Sequence, residues 1–283
     1  MSAAAAPREK EVLARHLRDA YMEVFPAAGV ARKLAVLERG ACVAITCSPA
    51  KGPGETLALS AELVGAGFRV IPHIAARNVR DARELAGIER RLKELGIESL
   101  FVPGGDRPEP AGEFRTALDL LRALAELDHG LNYIGVAAHP EGHPAVAPET
   151  LLDELARKQD YANYMVTQLC FDAPALGRWL KEVRARGITL PAWIGLPGVL
   201  DRARLVKTSL RIGVGDSLRF LRRNPRAVGA IMRSATYRPD GLLAALAPVA
   251  AEPQAAVDGY HLFCFNEVAE TEAWRTHAAR ALE

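Results

Sequence analysis

Residues 132–169 read NYIGVAAHPEGHPAVAPETLLDELARKQDYANYMVTQL. A β-rich apolar run, Asn132–Ala138, stops at His139-Pro140-Glu141-Gly142-His143-Pro144. A segment of helical period follows over Pro148–Gln159, and Pro148 suits the first helical position, where no N–H is needed. A second β-rich run, Tyr164–Leu169, completes the unit. Strand, polar loop, helix and strand in this order predict two parallel strands joined by a helical crossover.

The same alternation extends in both directions. Upstream, Tyr21–Phe25, Ala41–Cys47, Phe68–Ile74 and Ser99–Val102 read as strands. Helical segments lie between them at Arg32–Glu38, Glu55–Ala66, Val79–Leu95 and, after the fourth strand, Glu113–Leu127. Downstream, Ala173–Arg186 is helical with Asp172 as its N-cap, Ala192–Leu196 and Tyr260–Phe265 are strands, and Val268–Leu282 is the last helix. Helical material is also expected over 201–223 and 226–246, which puts extra helices between strands seven and eight. Eight βα units in roughly 250 residues predict an α/β fold, a single (β/α)8 TIM barrel. It spans residues 1–283, with 1–18 as an N-terminal helical extension. The rival doubly wound sheet announces itself by Gly-x-Gly-x-x-Gly after its first strand, and both Gly52-Pro53-Gly54 and Gly213-Val214-Gly215 lack the third glycine.

Composition narrows the function. The chain of 283 residues carries 36 Lys+Arg against 34 Asp+Glu, a net charge of +2, so it has no electrostatic footprint for nucleic acid. Its 49% hydrophobic and 25% charged residues exclude a disordered chain. No apolar stretch is long enough for a membrane helix, and the first ten residues lack the apolar core of a signal peptide, so a soluble cytoplasmic protein is expected. Cys42, Cys47, Cys170 and Cys264 form no Cys-x-x-Cys pair and read as reduced thiols within or beside strands. No metal site is expected: Pro140 and Gly142 break the helix that His139 and His143 would need to act as an i, i+4 zinc pair.

Working residues of a barrel sit at the C-terminal ends of its strands. Here those ends carry Glu23, then Thr46 with Lys51 and Glu55, then His73, Asp106, His139 with Glu141 and His143, and Thr167-Gln168. Read singly, each has an ordinary explanation. Glu23 could face solvent, His73 could be a core histidine, Asp106 could organise a turn, and Arg157 and Lys158 could be C-terminal helix charges. Six polar strand ends together point to a lined mouth.

In order, these pieces resemble the methylenetetrahydrofolate reductase family. Glu23-Val24-Phe25-Pro26 is similar to the family's first-strand Glu-Phe-Phe-Pro, and Val43–Thr46 to its Ser-Val-Thr strand. Ile71-Pro72-His73 resembles Pro-His-Leu-Thr, and Gly105-Asp106 resembles Arg-Gly-Asp. The 137–144 segment is similar to Ala-Tyr-Pro-Glu-x-His-Pro. Lys158 followed by Val166–Asp172 is similar to Lys and Ile-Thr-Gln-Phe-Phe-Phe-Asp, and Leu196–Leu200 resembles Ile-Pro-Gly-Ile. The resemblance covers nearly the whole chain. It implies a barrel that reduces 5,10-methylenetetrahydrofolate to 5-methyltetrahydrofolate in one-carbon metabolism and methionine biosynthesis. It implies NADH or NADPH as hydride donor and a small-molecule folate as partner, with no oligomeric state implied.

The resemblance assigns Glu23 as the acid that protonates N10, and an enclosed, low-dielectric place would keep such an acid protonated near neutral pH. Asp106 becomes a second carboxylate, and Glu55 a further candidate acid. Gln168, Thr167 and Thr46 fall on the folate side, while His73, His139, His143, Lys158 and Gly105 fall on the cofactor side. Departures gather on the flavin side: Gly104 replaces an arginine, His139 a tyrosine, and Asp160-Tyr161-Ala162 a longer glycine-containing segment. The chain therefore resembles a short, actinobacterial-type, flavin-independent branch more than the FAD-dependent enzymes, with the nicotinamide in the flavin's place. FAD remains the alternative cofactor. A non-catalytic folate-binding barrel and a folate-dependent methyltransferase barrel are the readings from other classes.

Overall fold

The structure is a computed structural model that describes residues 6–48, 50–143, 146–201 and 236–283. Eight strands form its centre: β1 Tyr21–Val24, β2 Cys42–Ile45, β3 Arg69–Pro72, β4 Ser99–Val102, β5 Tyr133–Ala138, β6 Tyr164–Thr167, β7 Ala192–Pro197 and β8 Val257–Phe263. They lie in one parallel sheet in the order β3-β2-β1-β8-β7-β6-β5-β4. The last seam, β3 to β4, is stitched just beyond β3. A bridge pairs His73 with Phe101, Ile74 N–H donates to the Phe101 carbonyl at 2.9 Å, and Ala76 N–H donates to that of Pro103 at 3.0 Å. The strands therefore form a nearly closed barrel, as the alternation predicts.

Surrounding helices are α1 Pro7–Asp19, α2 Val30–Leu34, α3 Pro53–Gly65, α4 Ala82–Glu94, α5 Ala117–Ala125, α6 Pro148–Lys158, α7 Ala173–Ala185, α8 Asp240–Ala250 and α9 Val268–Leu282. Several begin at side-chain caps, each worth about 1 kcal/mol. Asp81 accepts from the Glu84 N–H at 2.8 Å, and the expected Asp172 cap accepts from the Ala175 N–H at 2.9 Å. Thr116 and Asp119 bond to each other's backbone N–H groups at the start of α5, which sets that helix start at Ala117 rather than Glu113.

The period-two alternation of strand side chains builds two separate cores. Tyr21, Ala44, Ile71, Phe101, Tyr164 and Val166 fill the barrel interior. Their strand neighbours, such as Val43, Val70, Leu100 and Met165, pack outward against Leu63, Leu92, Leu121 and Leu180 of the helices. Inward rings need room opposite them. A Cβ on Gly135 would come within 2.3 Å of the Tyr164 ring, and one on Gly259 within 2.5 Å of Trp193. Large rings facing glycines thus fill the interior in layers.

Two expectations change. Thr236–Tyr237 pairs antiparallel with Leu200–Asp201 instead of being helical, and helix α8 begins only at Asp240. Pro239 lacks an N–H and cannot continue a helix from before it, so it stands as the N-cap. The remaining helical expectation over 202–235 lies outside the described residues, as does the 1–5 part of the N-terminal extension. Strand β8 begins at Val257, three residues before the predicted start.

Candidate active site

Glu23 lies on β1 with its side chain turned into the mouth of the barrel, 17% exposed. Its Oε2 is 3.0 Å from Nε2 of His261 on β8 and 3.7 Å from Nδ1 of His73, just past β3. The strand register explains this grouping. Tyr21 pairs with His261 and Glu23 with Phe263, so Glu23 and His261 sit one pleat apart on the same face of neighbouring strands. Aromatic rings enclose them. Tyr21 meets His261 edge-on at 5.0 Å, Phe263 lies 4.6 Å from His261, and Phe101 lies 4.5 Å from His73.

The loops beyond these strands are tied together. The Asn266 side chain accepts from the Phe25 N–H and donates to the Phe25 carbonyl, both at 3.0 Å. Sγ of Cys264 donates to the Glu23 carbonyl at 3.1 Å. Phe265 and Asn266 adopt φ of 49° and 64°, a left-handed conformation that is costly for a bulky residue such as Phe265. The paired amide of Asn266 holds that turn closed against β1.

Electrostatics correct one expectation. Burial pushes the Glu23 carboxyl up, but the hydrogen bond from His261 and the fields of His261 and His73 outweigh it, so Glu23 titrates below the usual carboxylate range. Burial lowers His73 to about 4 despite the pull of Glu23, so His73 is neutral at neutral pH. The bond from His261 is then the stabilising contact that acts on Glu23 there. The acid is enclosed, as expected, yet it rests ionised rather than protonated.

Asp106 sits on the loop after β4 and is exposed. It is not among the groups that shift Glu23. Gly105 turns that loop with φ of 94°, and a Cβ there would sit 3.0 Å from the Ala75 side chain. Glu55 lies in the first turn of α3 and pairs with Lys51 at 2.8 Å, its side chain 41% exposed. That solvated position does not suit a second enclosed acid. Thr46 is half-buried at the end of β2, where its carbonyl accepts from the Thr56 hydroxyl at 2.8 Å.

On the far side, Thr167 is fully buried and its hydroxyl accepts from the Gly195 N–H at 2.9 Å, so that oxygen braces the wall rather than facing a ligand. Gln168 is half-buried, and its side-chain oxygen accepts from the Leu169 N–H at 3.0 Å. His139 and His143 meet edge-on at 5.5 Å after β5. Burial, then the nearby Lys158 and His143, lower His139 to about 4. Lys158 is 6% exposed, its pKa is lowered by burial against the pull of Glu154, and its ammonium reaches the Ala137 carbonyl only at 3.5 Å. His261 and Asn266 escaped the sequence reading. The usable signal was a histidine within the last apolar strand, since closing a barrel makes that strand the neighbour of the first.

The sequence profile of the Methylenetetrahydrofolate reductase family matches residues 46–208. The chain belongs to the methylenetetrahydrofolate reductase family. A Caenorhabditis elegans protein named probable methylenetetrahydrofolate reductase (NADPH) is 33% identical over 144 residues, 47% of this chain and 20% of its own length. Methylenetetrahydrofolate reductase 1 of Schizosaccharomyces pombe is 32% identical over 118 residues, 38% of this chain and 19% of that one. A rice protein named probable methylenetetrahydrofolate reductase (NADH) is 28% identical over 163 residues, 49% of this chain and 27% of that one. The matched stretch is thus a minor part of each relative's length. Glu23, His261 and Asn266 lie outside the 46–208 match, whereas Asp106, His139, Lys158 and Gln168 lie inside it.

FAD, the family's other cofactor, can be tested against the residues here. A cleft of about 340 Å³ opens beside His139 and Trp179, and Glu141, Glu149, Asp172 and Glu182 line it. Among its described lining residues there is no Lys or Arg, so the cleft offers no counter-charge to a dinucleotide pyrophosphate, whether of FAD or of NADH or NADPH.

Proposed function

We propose that this chain reduces 5,10-methylenetetrahydrofolate to 5-methyltetrahydrofolate, with hydride passing directly from NADH or NADPH and without flavin. The observation that carries the reading is an enclosed carboxyl on the first strand of a barrel of this family, bonded to a buried histidine. Support for direct transfer comes from Gly104 and His139, which stand where the resemblance places the family's flavin contacts.

In this reading NAD(P)H supplies the hydride. A folate seated over the mouth removes the water that still reaches Glu23. Burial is the contribution that raises this carboxyl, so closure favours uptake of a proton. Glu23 then passes that proton to N10, the bond from N10 to the methylene carbon breaks, and an N5 iminium forms. Hydride adds to the exocyclic carbon and gives the methyl group. The carboxylate left on Glu23 keeps its bond from His261 and stabilises the cation while it lasts.

An absorbance spectrum of the purified protein, followed by NADH or NADPH with and without methylenetetrahydrofolate, tests the reading. A colourless protein that oxidises the nucleotide only when the folate is present is expected. A yellow protein with a flavin band contradicts direct transfer, and no folate-dependent oxidation contradicts the activity itself.

A further inference from the structure

The two oxygens of the Glu23 carboxyl are treated differently by the protein. Both neighbouring imidazoles converge on Oε2, His261 at 3.0 Å and His73 at 3.7 Å. Among the described residues no hydrogen bond from either imidazole reaches Oε1. His261 is 1% exposed, and its Nδ1 is buried without a hydrogen-bond partner among the described residues. The groups facing His261 are Tyr21 and Glu23 from β1, His73 from the β3 end and Phe263 from its own strand. Of these only Glu23 is charged at neutral pH.

A neutral imidazole carries its proton on one nitrogen or the other. A proton on Nδ1 would bury an unsatisfied N–H and leave Nε2 to accept the acid's own proton, which would turn Glu23 away from the substrate. An imidazolium would bury the same unsatisfied N–H. A proton on Nε2 is donated to Oε2 and leaves only a bare lone pair at Nδ1. We propose that His261 is the positioning residue of the Glu23 acid: its Nε2–H occupies Oε2 and so reserves Oε1 for the proton exchanged with the folate. This rests on the reading of Glu23 as the acid in folate reduction. The Cys264 bond to the Glu23 carbonyl and the Asn266 pairing with Phe25 keep β8 and β1 in the register that the contact needs.

Two arms test it. Nitrogen NMR of the histidine-labelled protein, with His261 assigned by its loss in His261→Gln, reads the tautomer without any turnover. Protonated Nε2 and bare Nδ1 near neutral pH are expected, and the Nδ1–H tautomer or an imidazolium overturns the proposal. In the kinetic arm, His261→Phe keeps an aromatic ring and removes the donor. It should lower kcat about 10–100-fold with KM values within about three-fold. Its high-pH limb of kcat should move to higher pH, because the acid loses the bond that holds its pKa down. His261→Gln, which restores an N–H near Oε2, should recover about ten-fold of the lost rate and return the limb. An unmoved limb, or a His261→Gln variant as impaired as His261→Phe, makes the residue structural and overturns the role. Should His261→Phe fail to fold, His261→Gln and the tautomer decide. A wild-type protein that never turns over methylenetetrahydrofolate defeats the functional reading, while the tautomer still reports on the pair.

Discussion

Where β8 meets β1, the carboxyl of Glu23 is locked to His261, flanked by Tyr21 and Phe263, and held in register by Asn266 and Cys264. Where β4, β5 and β6 end, the polar groups are held less closely. Asp106 stands in solvent, and among the described residues the Gln168 side chain bonds the next residue of its own loop and the buried Lys158 ammonium makes one long bond. The difference separates two tasks. A group that moves a proton needs a fixed partner and a fixed dielectric, which strand walls supply. Groups that receive a ligand's polar edge can wait for the ligand to complete them.

The largest effect expected from this division is at Glu23. Glu23→Gln should lower turnover about 100-fold or more while folate binding stays near normal, read by steady-state rates beside equilibrium binding. An unchanged kcat would remove Glu23 from the chemistry and erase the contrast. Next comes Lys158, whose buried ammonium makes one long bond, to the Ala137 carbonyl, among the described residues. Lys158→Met should leave the melting temperature unchanged or raise it, since an apolar group of similar volume replaces a desolvated charge. The same variant should raise the KM for NADH or NADPH about ten-fold, the scale of one charged hydrogen bond. A large drop in melting temperature would make the residue a structural member of the wall.

Acid should weaken the whole molecule through its buried histidines. His16 and His73 are lowered to about 4 chiefly by burial, from an ordinary value of 6.5. The unfolded chain takes up protons through 6.5 that the folded chain refuses until about 4, so stability is full above that window and falls as pH drops through it. The loss is of order 3 kcal/mol for each histidine. Thermal unfolding across this pH range should show the decline, and a flat profile would mean that these rings titrate normally. The smallest effect belongs to Glu55. Glu55→Gln should change kcat by less than about two-fold, because a solvated ion pair of this kind contributes little. A large loss there would restore it as an acid.

Much of the fold was legible because each strand is buried on both faces, and such strands write apolar runs between helical periods. Ser99–Val102 and Val268–Leu282 match their predicted bounds. Glu23 was legible because a carboxyl inside an apolar run is out of place. His261 was not, since its partner lies 238 residues away and only barrel closure brings the two strands together. Strand parity, applied strictly, would have corrected Thr167. Tyr164 and Val166 face the interior, so the next residue belongs to the other face. Glu55 read as a mouth residue from its place after β2, whereas the first turn of α3 leaves its side chain half-exposed and paired with Lys51.

The central claim is tested most directly by isotope transfer. NADH or NADPH carrying deuterium at both C4 positions is turned over with methylenetetrahydrofolate, and the methyl group of the product is examined by mass spectrometry. Direct transfer predicts one deuterium retained in every new methyl group. Product whose methyl carries hydrogen from the solvent instead would contradict the account.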